Sequence, residues 1–295
     1  MQLCLLLCLS ILFAAANNLL LHKFGNRGLS GLSGVLLFNA AISGVWIVVL
    51  GLTAAFTGGL SFDLRSVLWG MLYGGVTAAF LLFKMQAMAT GPVSLTAFIG
   101  YASLLISTGF GVFVLGEGAG LLQLIGVILL MIALFLVVSP KSDQAGRRWR
   151  LWCAGFFVCS AAVGIIFKLH QRSPSAGRIS EMMLAAAVTS ALIFTAAAFI
   201  LAENHRPALL PKSAMLYVIG CGIVGCAYNR LNIFLAGQLP SVVFYPTFNG
   251  SVILLSTLGG LLFFRERLKA AQVSGIIIGA AALMLVSGTI DQLLK

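Results

Sequence analysis

Residues 117–126 read EGAGLLQLIG, and residues 266–275 read ERLKAAQVSG. Both spell E-x5-Q-x2-G, with Glu117, Gln123 and Gly126 standing 149 positions before Glu266, Gln272 and Gly275. The same offset pairs Ala87 with Ala236, Val93 with Val242, Leu105 with Leu254, Ser107 with Ser256, Thr108 with Thr257 and Gly111 with Gly260, without a gap. Apolar segments share Leu and Val by composition alone, so the polar identities carry the weight. The chain reads as an internal duplication, with one half in residues 1–140 and the other in 141–295.

Outward from these two stretches the chain is greasy. Sixty per cent of its 295 residues are hydrophobic and 8% charged, with a mean hydropathy of +1.08. A soluble domain carries roughly 25% charged residues, so this composition cannot cover a water-facing surface. Lipid is the solvent the composition requires, and in lipid the backbone must bond within itself. Apolar runs of about 20 residues satisfy that requirement as helices. The polar breaks leave ten such runs, at 2–21, 33–56, 67–89, 93–115, 121–139, 151–169, 181–201, 214–236, 241–263 and 271–289. The expected fold is therefore an all-α integral membrane protein of ten transmembrane helices. Met1 to Ala16 reads as the start of the first span rather than a leader, because it lacks basic residues and its apolar run continues to Leu21.

Each half holds five spans, an odd number, so the second half enters the membrane upside down relative to the first. Inverted repeats of this kind set two similar bundles around a midplane site that rocking exposes to each side in turn. The net charge of +11 does not point to nucleic acid, since the basic residues form short caps between apolar runs. All six cysteines (Cys4, Cys8, Cys153, Cys159, Cys221 and Cys226) fall inside apolar runs, a pattern of packing rather than of disulfides or metal ligation. No cofactor is expected.

Two five-helix halves, each closing on a short Glu-bearing hairpin and then Gln-x-x-Gly, resemble the EamA-like members of the drug/metabolite transporter superfamily. The clearest stretch runs from Phe263-Phe264-Arg265-Glu266-Arg267-Leu268 to Gln272 and Gly275, and the pattern covers nearly the whole chain. The resemblance implies ten helices, a central cavity between the halves, export or exchange of small metabolites, and a multi-pass place in the cell (inner) membrane. Two features depart from it. The mid-helix proline of the fourth or ninth helix is missing, Pro246 lying well before that point, and Gly118 stands where a basic residue commonly follows the Glu.

No acidic residue lies mid-span. Asp63, Glu117, Asp143, Glu181, Glu203, Glu266 and Asp291 all map to loops or helix ends. Related small multidrug exporters use a first-helix carboxylate, where this chain has Asn17 and Asn18. Two basic residues do fall in apolar runs, Lys84 in the third and Arg230 in the eighth. A charge facing hydrocarbon costs roughly 2.5–3.5 kcal/mol or more, so both should face protein or water, unless Lys84 snorkels to its nearby helix end. Tyr73, Thr77 and Lys84 share one helical face, whose mates at the 149 offset are Gly222, Cys226 and Ile233. Arg230 falls on that mate face, which leaves Tyr228 and Asn232 flanking it. With Asn229 beside Arg230 and with Tyr245 and Asn249 one turn apart on the ninth span, these residues make up the expected solute site. Asparagines in such spans serve equally well as interhelical glue. Two bases and no acid favour a small polar solute, anionic or zwitterionic. Glu117 and Glu266 read as caps of the helices that follow them. Gly70/Gly74 and Gly275/Gly279 make G-x-x-x-G faces for close helix contact.

An intramembrane enzyme is the rival class. Gly28-Leu29-Ser30-Gly31 and Gly31-Leu32-Ser33-Gly34 spell G-x-S-G, but His22, His170 and His205 all lie at helix ends or in loops, out of reach as a mid-span base. Non-enzymatic secondary transport is the expectation, with a passive facilitator or channel and a multidrug exporter as alternatives. The expected partners are a small-molecule solute and the lipid bilayer, with a homodimer left open. Basic residues divide unevenly between the two sides. Lys23, Arg27, Lys141, Arg147, Arg148, Arg150, Arg206, Lys212, Arg265, Arg267 and Lys269 share the basic side, against Arg65, Lys168, Arg172, Arg178 and Lys295 on the side of the termini. Positive-inside puts the termini outside the cytoplasm, whereas the resemblance puts them within it.

Overall fold

The computed structural model describes residues 2–24, 29, 31–57, 63–138, 146–202, 210–264 and 270–287. Every secondary-structure element among them is helical. The helices are α1 (Gln2–Phe24), α2 (Gly31–Thr57), α3 (Leu64–Thr90), α4 (Val93–Ala102), α5 (Leu104–Gly109), α6 (Leu121–Val138), α7 (Arg147–Arg172), α8 (Ile179–Leu201), α9 (Lys212–Gln238), α10 (Ser241–Phe264) and α11 (Ala270–Val286), with a π-helical turn at Phe110–Val114. Among the described residues nine spans are long and apolar enough to cross a membrane, the fourth of them over Leu95–Val114, and α11 is a shorter apolar helix of 17 residues. Large side chains point outward, with Phe56 and Phe113 each 88% exposed. Apolar surface on that scale needs lipid around it. The chain is a multi-pass membrane protein.

The fourth span is not the continuous helix expected over 93–115. Its regular hydrogen bonding is interrupted at Ser103, which keeps helical dihedrals and whose hydroxyl lies 2.7 Å from the Gly100 carbonyl and 2.6 Å from Ser160 Oγ on α7. A serine that bonds its own preceding turn bends a helix. Further on, Leu115 N–H reaches the Phe110 carbonyl, which opens one turn to π geometry before Gly116 reverses the chain at φ +66°. That left-handed value is ordinary only for glycine.

Small residues set the close contacts. A Cβ on Gly70 or Gly74 of α3 would run into the α8 backbone at Met182 and Ala186, and one on Gly275 would meet the Ala133 carbonyl of α6 at 2.8 Å. The two G-x-x-x-G faces therefore sit at α3–α8 and α11–α6, where carbon packing stands in for the hydrophobic effect that lipid cannot supply. Around these seams α1, α2, α3, α7, α8 and α9 enclose a central space, with α10 closing one wall and α6 and α11 packed behind it.

Short connections make successive spans antiparallel. The starts of α1, α3, α6, α8 and α10 consequently share the terminal side with the ends of α2, α7, α9 and α11. Contacts at that end agree: Asp63 before α3 accepts from Ser175 in the α7–α8 turn, and Glu117 before α6 accepts from the N–H of Ser241 that opens α10. At this end α10 packs against α5 and the π-turn, while α4 packs on α3, α6 and α7 instead. The fourth span and α10 thus converge on the terminal side and part toward the basic side.

Candidate functional site

The space between them is a cavity of about 460 Å³, within the range of small-molecule sites. Its terminal end is built from buried groups. Tyr73 donates to Asn229 Oδ1 at 2.9 Å, linking α3 to α9, and Tyr245 donates to the Gly164 carbonyl at 2.6 Å, linking α10 to α7. Phe167 stacks edge-on against Tyr73, and Phe244 closes the floor beside Tyr245. Toward the basic side the lining residues include Asn17, Asn18, Leu21 and Lys84, which are half-buried or exposed.

Eight of the nine residues expected from the sequence line this cavity: Asn17, Asn18, Tyr73, Thr77, Lys84, Asn229, Tyr245 and Asn249. Some already hold structural bonds. Asn18 donates to Ser256 on α10 at 3.2 Å, Asn229 to the Gly225 carbonyl, and Asn249 to the Tyr245 carbonyl, each at 2.9 Å. Lys84 has no ion pair among the described residues, and its ammonium lies 6.0 Å from the centre of the Phe80 ring. No carboxylate lines the cavity among the described residues. Trp46, one aromatic among many in the apolar runs, also lines it, with a buried indole N–H that has no hydrogen-bond partner among the described residues.

The ninth residue, Arg230, is not brought together with the other eight. It is exposed and donates to Ser180 Oγ at the start of α8 at 2.6 Å, outside the cavity. The cause is a one-residue register difference. An offset of 148 carries the cavity-lining Tyr73, Thr77, Phe80, Leu81 and Lys84 onto Cys221, Gly225, Tyr228, Asn229 and Asn232, and all five of these line the cavity too. The 149 offset, drawn from the later identities, turned α9 by one residue, about 100° on a helix. Tyr228 and Asn232 therefore face the cavity rather than flank it. Arg230→Gln is accordingly expected to lower stability by no more than about 0.5 kcal/mol, the range of a lost surface contact. A thermal melt of the detergent-purified protein checks this.

Glu117 also differs from expectation. It does not cap α6, whose start is served by Gln123 accepting from the Gly120 N–H at 2.9 Å. Its carboxylate instead meets Lys168 Nζ at 2.7 Å, Arg172 Nη2 at 2.8 Å and the Ser241 N–H at 2.6 Å. Lys168 gives a further bond to the Leu239 carbonyl at 2.7 Å, and its side chain is only 5% exposed. Burial raises the Glu117 pKa, but the Lys168 ammonium and the Ser241 N–H outweigh it and hold the carboxyl below its ordinary value. The contribution of this ion pair is therefore present above the usual carboxylate range and is lost as pH falls through the lowered value. Sequence could not supply these partners, since Lys168 and Ser241 lie 51 and 124 positions away from Glu117. Glu266, the repeat mate, lies outside the described residues, as do Ser30 and His205.

No family model and no curated protein matches the chain. Twenty-nine solved chains are similar to it in structure. One, described only as the crystal structure of a protein, superposes with a TM-score of 0.76 at 17% identity, over 100% of this chain and 99% of that one. At that identity the likeness is one of fold, end to end.

Proposed function

We propose that the chain is a secondary transporter that moves a small polar, anionic or zwitterionic solute across the cell (inner) membrane by alternating access, without catalysis. The observation that carries this reading is the cavity itself: a chamber within the bundle, lined mostly by apolar side chains with Asn17, Asn18, Thr77, Lys84 and Asn249 set among them, narrowing toward one side and parting toward the other. Ionisable groups within a membrane are costly and commonly mark solute paths. Lys84 is the one charged side chain among the described lining residues, and with the unpartnered Trp46 N–H it offers donors and positive charge to a solute rich in acceptors.

Internal duplication supports the alternating part of the proposal. The starts of α2, α3 and α4 lie 148 residues before those of α8, α9 and α10, and the start of α6 lies 149 before that of α11. Two five-span halves, 1–140 and 141–295, would then rock about the cavity as inverted repeats do. The E-x5-Q-x2-G hairpins support placing the chain with the EamA-like drug/metabolite transporters.

A thermal-shift screen of detergent-purified protein tests the solute class, using amino acids, organic acids, nucleotide-sugars and lipophilic cations. Ligands that bind the folded state raise the melting midpoint. Acidic or zwitterionic solutes are expected to raise it. Stabilisation confined to the cations would replace this reading with that of a multidrug exporter.

A further inference from the structure

We propose that Glu117 is a positioning residue of the transport cycle, the latch that holds the cavity shut on the terminal side. This rests on the carrier reading above. Glu117 belongs to the first half of the chain, whereas Lys168, Arg172 and Ser241 belong to the second. One carboxylate thus ties three separate pieces together: the hairpin after the fourth span, the end of α7, and the turn that leads into α10.

Its place relative to the cavity is specific. Gly164, whose carbonyl takes the Tyr245 hydroxyl at the cavity floor, lies one helical turn before Lys168 on α7. Four residues of helix rise about 6 Å, so the ion pair sits directly beneath the floor. Gly111 lets the π-turn approach closely enough to make the contact, because a Cβ there would occupy the position of the Ser241 side chain. The Glu117 N–H is itself tied to the Gly111 carbonyl at 3.0 Å, and Arg172 also holds the Leu115 carbonyl at 3.2 Å, so the hairpin that carries the carboxylate is held at its own backbone.

The chemistry makes this contact state-dependent. With Glu117 removed, the closed arrangement keeps a buried ammonium without its counter-charge and a helix N-terminus without its acceptor, a costly combination. Opening on the terminal side brings water to both groups. Loss of the carboxylate therefore penalises the closed state selectively and shifts the population toward the open one. A glutamine at this position is nearly isosteric and can still accept from Ser241, yet it cannot neutralise Lys168. The two roles separate cleanly.

Phe248, a cavity residue one turn above Phe244 on α10, gives the readout. In a background with the six native cysteines replaced, Phe248→Cys is labelled with a membrane-impermeant maleimide from each side of sealed, oriented vesicles. Without further change it is expected to react from the basic side and stay protected from the terminal side. Adding Glu117→Gln should speed terminal-side labelling at least about tenfold, and Glu117→Asp should bring most of the protection back. Basic-side labelling certifies that each variant is folded. Arg172→Gln, at the exposed edge of the cluster, removes one partner without burying a charge, and is expected to give a smaller increase. Unchanged terminal-side protection in every variant that keeps basic-side labelling would overturn the latch, as would equal acceleration by the Gln and Asp replacements. Labelling needs no solute, so failure of the latch is distinguishable from a solute screen that fails. If Phe248→Cys is reached from neither side, the carrier reading fails and the latch with it.

Discussion

Proteoliposomes carrying Lys84→Met are expected to take up acidic solutes at less than about a tenth of the parent rate, while Lys84→Arg keeps a substantial part of it. A hydrogen bond to a charged group is worth about 1.5–3 kcal/mol, and each 1.4 kcal/mol is about tenfold in affinity. The effect is expected at the upper end of that range, since no other cation lines the cavity among the described residues. Asn17, Asn18 and Trp46 supply donors but no charge to balance a carboxylate brought out of water. Arginine preserves the charge in a bulkier and flatter form, so it retains attraction and loses fit. Initial rates at several solute concentrations, alongside the melting midpoint of each variant, separate binding from folding. Undiminished acidic-solute transport by Lys84→Met would remove the electrostatic basis for the solute class.

The second large effect falls on folding. Gly70→Leu is expected to abolish recovery of monodisperse protein. Overpacking costs about 1–3 kcal/mol where neighbours can shift. Here the neighbour is the α8 backbone at Met182, with Ala185 beside it, and neither can turn away as a flexible side chain does. Relief requires α3 and α8 to separate, which opens the seam that also holds Gly74 against Ala186. Gly44→Ala is the matched control, because a Cβ there meets nothing within 4 Å and alanine favours helix. Size-exclusion profiles of the two variants provide the comparison, and a normal profile for Gly70→Leu would show that the α3–α8 contact is looser than described.

Much of this architecture could be read from periodicity and polarity alone. Nine of the ten expected spans recur as single helices with ends displaced by a few residues, since a lipid solvent leaves an apolar run of that length few other options. The fourth did not, because its breaks depend on a bond from Ser103 to α7 and on the docking of Glu117 against α10. Those are contacts across the fold, and no local pattern encodes them. The cavity face of α3 was readable because polar Tyr73, Thr77 and Lys84 recur on a helical period in an apolar background. On α9 the same reasoning erred at Arg230, where an offset taken from the later hairpins was one residue too long. Arginine is long enough to leave its own helix face and reach Ser180, so a charge in an apolar run did not have to mark the cavity. Trp46 carries no sequence signal at all, as one aromatic among many in apolar helices. Glu117 was noticed for its repetition and assigned to the wrong helix N-terminus, since its true partners meet it only in the folded chain.

A carrier of the proposed kind presents its cavity to the two sides of the membrane alternately. Counterflow tests it most directly. Proteoliposomes are preloaded with an unlabelled acidic solute from the class that stabilises the protein and then diluted into a trace of the labelled form, with no ion gradient. A carrier that returns loaded predicts transient accumulation of label above the outside concentration, absent from Lys84→Met vesicles. Label that only approaches equilibrium, at a rate indifferent to the preload, would contradict alternating access and identify a passive channel.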